Sequence, residues 1–227
     1  MRTARLAGLL LTTILAISLV SAQAASAGSG NPLFVPAAGQ AATAISGVTT
    51  LREITGQIIV CQKDSATGTV TSSLLLGKVF WHFLECTAKE KEGATTTCTI
   101  HSLGAPEEGL IITTELHGIL GLILPSLQTG ILFLPTNNST WTELAESKNG
   151  ATKCTSESKV TGTLAGLVTP VRVSQTTGLI TFPKEPIKTI DLTHGIGSRK
   201  PELNIFTGQA TLEQDEKITY GVATEVT

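Results

Sequence analysis

Apolar and polar side chains alternate in short runs along most of the chain, and the three-to-four-residue spacing of an amphipathic helix is seldom met. In REITGQIIVC, Ile54, Gly56, Ile58 and Val60 alternate with Glu53, Thr55 and Gln57, which predicts one strand with the first set on its buried face. After the turn-rich QKDSATG, the segment TVTSSLLLGKVFWHFLEC is apolar at nearly every position from Val79 to Leu84, the pattern of a strand covered on both faces. TTTCTIHS returns to alternation, with Cys98 and Ile100 on one face and Thr97, Thr99 and His101 on the other. The same parity carried through GLIITTELHG points Leu110, Ile112, Thr114 and Leu116 inward.

Towards the C-terminus, GLITF, IKTIDL, ELNIF and GQATLEQDEKITYGVATEV add strands separated by PKEP, THGIGSRKP and EQDEK. The last of these reads as the charged turn of a hairpin, with Ile218, Tyr220, Val222 and Val226 on one side. LHGILGLILP, from Leu116 to Pro125, echoes VTGTLAGLVTP, from Val160 to Pro170, with one inserted residue. If these are equivalent strands, their glycines serve bulges, sharp coiling or the close approach of a neighbouring backbone; chance in a Gly-rich β protein is the other reading. Thr, Gly, Val and Ile are abundant and Asp occurs only at 64, 191 and 215, which strengthens the β assignment. The expectation is an all-β fold over residues 44–227: a single antiparallel β-sandwich or partly closed β-barrel, disulfide-bonded.

The first residues differ in kind. Arg2 and Arg5 precede a fifteen-residue apolar run, Leu6 to Val20, followed by Ala22-Gln23-Ala24 and Ala25-Ser26-Ala27. Residues 1–27 therefore read as a secretory signal peptide cleaved after 24 or 27, since a membrane span needs about 20 apolar residues. Residues 28–43 are small and polar apart from PLFVP and are expected to form a flexible arm. Without Arg2 and Arg5, 14 basic residues stand against 18 acidic ones, a net charge of −4 with no basic block. That balance disfavours nucleic acid and anionic membranes as partners, and no transmembrane anchor is expected in the mature chain.

His82, Cys86, Cys98 and His101 have the ligand count of a tetrahedral zinc site, but on strands Cys98 and His101 point to opposite faces. A redox dithiol needs a C-x-x-C pair, which the chain lacks. Exported cysteines meet an oxidising environment, so Cys61, Cys86, Cys98 and Cys154 are expected to be structural disulfides. The favoured pairing joins Cys86 to Cys98 across the short charged loop and Cys61 to Cys154 across distant strands. On a loop-entropy argument these contribute about 3 and about 4–5 kcal/mol.

The succession Cys61-Gln62-Lys63, Ala66-Thr67-Gly68-Thr69, GKVFWHFLEC, CTIHSLGAPEEGLIITTELHGILG and a late Cys154 resembles a group of uncharacterised secreted bacterial proteins. Their comparable stretches read like C-K-x-A-x-A-T-G, F-x-x-C and C-T-S-x-G-A-x-x-G-x-I-x-T-x-x-L-x-G-x-L-G; here Ile100-His101 is inserted before Ser102. The resemblance covers about half the mature chain. It implies an extracellular location and paired cysteines, and it brings no activity, ligand or active site.

Catalytic signatures are sparse. The chain has no G-x-S-x-G elbow, H-E-x-x-H helix, phosphate-binding Gly-Lys loop or Asp-rich calcium loop. His194, with Asp191 before it and Ser198 after it, supplies the residue types of a hydrolytic triad in a Gly-rich turn. Glu107, Glu108, Glu115 and Glu143 are candidates for paired carboxylates, and Asn137 and Asn138 open overlapping glycosylation sequons. Trp141, in the polar setting NNSTWTELAES, is a candidate surface contact for a sugar or protein. The functional expectation is a secreted, non-catalytic binding or structural module of the extracellular space or cell envelope, with no cofactor or metal. Its partner would be an extracellular protein, a glycan or an envelope component. The alternatives are a secreted hydrolase assembled from loops and a carrier of a small apolar ligand held near Leu110–Leu134.

Overall fold

A computed structural model describes residues 32–91, 93–95, 97–137, 139–147, 157–192, 196–206 and 208–227. The signal peptide expected at 1–27, Cys154, His194 and Asn138 lie outside the described residues.

After β1 (Phe34–Val35), the chain makes eight antiparallel passes. The first is β2 (Gln40–Ser46) and β3 (Thr49–Glu53), the second β4 (Ile58–Cys61) and β5 (Lys63–Val70), the third β6 (Leu75–Leu84) and β7 (Thr87–Lys89). The fourth comprises β8 (Cys98–Ser102), β9 (Ile111–Ile112) and β10 (Leu116–Ile123), and the fifth β11 (Gln128–Pro135) and β12 (Thr140–Ser147). The sixth is β13 (Ser158–Gly162) and β14 (Leu164–Thr169). The seventh runs from β15 (Gln175–Phe182) through a side hairpin of β16 (Ile190–Leu192) and β17 (Gly197–Arg199) to β18 (Leu203–Ile205). The eighth is β19 (Gly208–Val226), unbroken over 19 residues.

One half of each pass belongs to a closed antiparallel ring, β2–β5–β6–β10–β11–β14–β15–β19, in which β19 returns to β2. The other halves close a second ring, β3–β4–β7–β8–β12–β13–β18–β19, in which β19 returns to β3. The two rings are successive levels of one eight-stranded barrel, and every pass except β19 is broken where it crosses between them. We call that level the waist. Closure leaves the staves without free edges.

An eight-stranded barrel is just wide enough for its own side chains to fill it. Val79, Trp81 and Phe83 of β6 point inward and are buried, as are Ile131 and Phe133 of β11, Phe182 of β15 and Trp141 of β12. Outward positions carry Thr43, Thr67, Glu213, Asp215, Lys217 and Thr219. Ile45, Phe80 and Leu84 also face outward, so the outer face is mixed, while the filled, apolar interior differs from the polar lumen of bilayer-spanning barrels. Among the described residues no helix is long and apolar enough to cross a membrane. A smaller apolar cluster lies outside the ring, where Ile190 and Leu192 of the side hairpin cover Leu132 and Ala165, with Ile119 and Leu134 beside them. The Ile- and Leu-rich stretch from Leu110 to Leu134 thus serves two layers.

Several sequence expectations change. REITGQIIVC is a hairpin, not one strand: the chain turns through Ile54–Gln57 with Gly56 at φ 109°, and Ile54 is 72% exposed. Val79–Leu84 is covered on one face only, and Phe80, His82 and Leu84 point outward. The parity of TTTCTIHS holds, but beyond the connection from Leu103 to Leu110 it slips by one, so that Ile111 and Thr113 are inward before Leu116 resumes. Parity is not transmitted through a loop, because β9 takes its register from β6. EQDEK makes no turn. Its charges alternate, Glu213, Asp215 and Lys217 outward and Gln214 and Glu216 inward, so the strand runs straight through, and Val222 ends up exposed. Residues 34–43, expected in a flexible arm, contribute to the sheet, with Phe34 buried opposite Val226.

The disulfide pairing is also corrected: Cys61 is bonded to Cys86, with their Cα atoms 4.0 Å apart. Strands β4 and β7 are antiparallel neighbours with Val60 opposite Thr87, so the next step in register sets Cys61 against Cys86. Cys98 faces Ala88 instead, which puts it out of step with Cys86. Cys98 is disulfide-bonded as well.

The two echoing segments become β10 and β13–β14, and β10 and β14 flank β11 on either side. Their glycines admit close neighbours: a Cβ on Gly166 would stand 2.5 Å from Ile180 Cγ2, and one on Gly121 would stand 2.6 Å from the Asp191 carbonyl oxygen.

Two measurements check this architecture. Non-reducing peptide mapping is expected to find Cys61 joined to Cys86, and replacing both with alanine should cost about 3–4 kcal/mol for a loop of 25 residues. Gly166→Ala, which overpacks the interior against Ile180 and Phe182, is expected to cost about 1–3 kcal/mol in urea denaturation; an unchanged midpoint would contradict the tight contact.

Candidate functional site

Period-two alternation along β19 puts Gln214 and Glu216 on the same inward face as Leu212 and Ile218. A buried polar group is tolerated only with partners. These come from two other passes that break or start at the waist, namely Thr49 at the head of β3 and Asp64 near the start of β5. Asp64 and Glu216 are 3% and 1% exposed.

The contacts form a chain. Thr49 Oγ1 lies 2.5 Å from Asp64 Oδ2 and 2.8 Å from Gln214 Oε1, and Gln214 Nε2 donates to Glu216 Oε1 at 3.0 Å. Ser46 also hydrogen-bonds Asp64 through its side chain and backbone. Asp64 Oδ1 and Trp81 Nε1 are the buried side-chain polar atoms without a partner of good geometry among the described residues. The Trp81 indole faces Glu216 and favours its ionised form, an effect smaller than those of burial and of the Asp64 charge. Burial, and then the charge of Asp64, hold the Glu216 carboxyl well above the usual carboxylate range. Burial also raises Asp64, against the hydrogen bonds with Thr49, Ser46 and Glu216.

Around this chain the interior is aromatic. Trp81 stacks on Trp141 with centroids 5.5 Å apart and planes 14° apart, and Phe133 and Phe182 close the cluster at 4.9 and 5.8 Å from Trp81. Trp141 is therefore no surface contact: it is buried, and its Nε1 donates to the Gly162 carbonyl at 2.8 Å. A second polar set repairs the broken fourth pass. Ser102 Oγ accepts from Ile112 N at 2.7 Å and lies 2.8 Å from Thr142 Oγ1, while Thr113 Oγ1 accepts from Trp81 N at 3.0 Å.

The open spaces are of two kinds. Inside, an apolar cavity of about 40 Å³ lies among Leu51, Ile59, Phe83, Trp141, Leu164 and Leu212, and another of about 20 Å³ touches Glu216 and Trp81. Outside, a groove of about 570 Å³ runs over the waist between Val48, Thr50, Lys184, Glu213 and Asp215.

The remaining sequence candidates scatter. Ser198 Oγ donates to Asp191 Oδ1 at 3.3 Å across the exposed side hairpin, whose His194 lies outside the described residues. Glu107 and Glu108 are exposed, Glu143 pairs with Lys159 on the surface, and Glu115 neighbours His117, whose pKa burial lowers. Asn137 is exposed. Among the described residues no three metal-ligating side chains converge. The carboxyls that do meet, Asp64 and Glu216, were not among the sequence candidates. Their signal was the unbroken parity of Leu212, Gln214, Glu216 and Ile218, which a turn at EQDEK conceals.

In comparisons with family models, curated proteins and solved structures, nothing matches this chain.

Both carboxyls have folded-state pKa values above their unfolded ones, near 4. The contribution of the pair to stability is then fully present below about pH 4 and is lost as the pH rises through the folded values. The urea midpoint attributable to this pair is expected to fall from about pH 5 towards mild alkali. A midpoint that climbs over that range would contradict the assignment.

Proposed function

We propose that the protein works outside the cell, as a non-catalytic binding or structural module of the extracellular space or cell envelope. The observation that carries this reading is the filled barrel. Trp81, Trp141, Phe133 and Phe182 occupy its interior, and the one buried acid pair is walled off from solvent, so the outer face is what meets other molecules. The leader pattern of residues 1–27 and the resemblance to secreted bacterial proteins support the location. Partners on this reading are an extracellular protein, a glycan or an envelope component, met along surfaces such as the groove over Val48, Thr50 and Asp215.

The interior cavity of about 40 Å³ argues against a carrier, because ligand pockets span about 300–1,000 Å³. The hydrolase reading rests on the Ser198–Asp191 hydrogen bond beside His194. A paired experiment separates them. The purified mature protein is expected to co-sediment with envelope fractions of its own cells, to take up no fatty-acid probe, and to turn over no ester, peptide or glycoside in a substrate panel. Turnover abolished by His194→Ala or Ser198→Ala in a folded protein would overturn the proposal.

A further inference from the structure

The hydrogen bonds around Asp64 do not balance without one extra proton. Three contacts link Asp64 Oδ2 to Thr49 Oγ1, Thr49 Oγ1 to the Gln214 amide, and that amide to Glu216 Oε1, at 2.5, 2.8 and 3.0 Å. Each needs one hydrogen between its heavy atoms. The Thr49 hydroxyl brings one. The Gln214 amide brings one more, because it meets one neighbour through its oxygen and the other through its NH2. Two hydrogens cannot serve three contacts, so a carboxyl supplies the third.

The accounting holds for either orientation of the amide. With the Gln214 oxygen towards Thr49, Asp64 carries the proton and donates to Thr49, which donates to Gln214, which donates to an ionised Glu216. With the amide turned over, Glu216 carries it, the donations run the opposite way, and Asp64 is ionised. Either way a carboxyl of the pair carries a proton, which the hydrogen bond between Asp64 and Glu216 themselves also requires.

We propose that Asp64, Thr49, Gln214 and Glu216 form a proton-binding site that holds one proton in the closed barrel and latches β3, β5 and β19 together at the waist. Among the described residues, the surroundings offer no competing counter-charge. Trp81 of β6 and Ser46 of β2 are the uncharged polar neighbours, and Ile180 of β15 is apolar. On β19 itself, Glu213, Asp215 and Lys217 point to solvent. Lys63, next to Asp64, is exposed and pairs with Glu85. On β3, Arg52 alternates to the opposite side from Thr49, and Glu53 is buried at the far end of the strand, where it accepts from Thr55. The raised proton affinity that burial confers on both carboxyls agrees with the site being occupied.

The latch spans a gap in the ladder. The last rung of β19 to β3 is Glu213–Thr50 and the first to β2 is Lys217–Ile45, so Gln214–Glu216 pass the break at Gly47–Val48 without ladder partners on that side. That break also lines the surface groove. Loss of the proton leaves two carboxylates facing each other in a dry interior and one contact without a hydrogen, and the seam opens towards the groove.

Infrared spectroscopy with hydrogen exchange tests this. The wild-type protein is expected to show the carbonyl stretch of one buried carboxylic acid at neutral pH, bleaching in mild alkali. Asp64→Asn and Glu216→Gln each supply the missing hydrogen from their own amide, so each should fold and lack the band. Exchange at Val48, Thr49 and Asp215, corrected for intrinsic rate, should rise about tenfold per pH unit in the wild type while the closed form keeps the proton and the open form has lost it. In either amide variant the corrected exchange should be flat with pH. A wild-type protein without an acid band at neutral pH would overturn the proposal, and this holds even if the variants fail to fold. A band that survives in both variants, equal pH dependence of exchange in all three proteins, or a seam closed by calcium and opened by chelator would overturn it too.

Discussion

Closure by β19 is the constraint on which the rest of the structure depends. This strand pairs with β15 and β18 on one side and with β2 and β3 on the other, so both rings close through a single unbroken element. A closed antiparallel ring satisfies its backbone groups internally and exposes no strand edge. It also fixes the interior width, and the inward-facing side chains must fill that width at the density of a solid. The aromatic group around Trp81 and the side-chain-free positions Gly118 and Gly166 are the two faces of that requirement: large rings on some staves need bare backbone on others.

The waist follows from bending seven passes around a straight eighth. Each break interrupts a ladder, and at several of them side chains make the missing links. Ser102 and Thr113 do this for the fourth pass, and Cys61–Cys86 ties β4 to the residue preceding β7 covalently. At the break between β2 and β3, the strand that runs straight through presents Gln214 and Glu216 instead of apolar residues. The polar chain from Asp64 to Glu216 is thus a consequence of topology, placed where β19 lacks ladder partners towards β2 and β3. It is an unusual place to keep a carboxyl pair, because an apolar interior disfavours its charge.

The outside is divided between water and a second apolar layer. Alternation gives outward positions such as Thr43, Lys78, Glu213 and Lys217 to water, whereas β11 and β14 present Leu132 and Ala165, which the side hairpin then covers. The insertion between β15 and β18 is long enough to make that excursion and return without disturbing the ring order. The exposed Ser198–Asp191 pair lies on this added hairpin, and the groove lies over the waist.

Much of the class of this protein was legible in the chain itself. Alternation in TTTCTIHS assigned Cys98 and Ile100 to the same buried face, and the matched glycines of the two echoing segments marked close approach, because both are local consequences of strand geometry. Pairing was not local. Cys61 meets Cys86 only because β4 and β7 are neighbours in one register, and four cysteines in sequence leave three pairings open. Trp141 sits in polar sequence yet is buried, because its side chain stacks on Trp81 while the adjacent Thr142 turns in to Ser102. Asp64 and Glu216 lie in segments that each look like solvent-facing, charged sequence. The sequence by itself determined that strands would form and where most of them alternate, since that is written in the side chains of adjacent residues. Only the tertiary structure decided that the strands close into a barrel and that two distant carboxyls meet inside it, since register and closure are set by contacts between residues far apart in the chain.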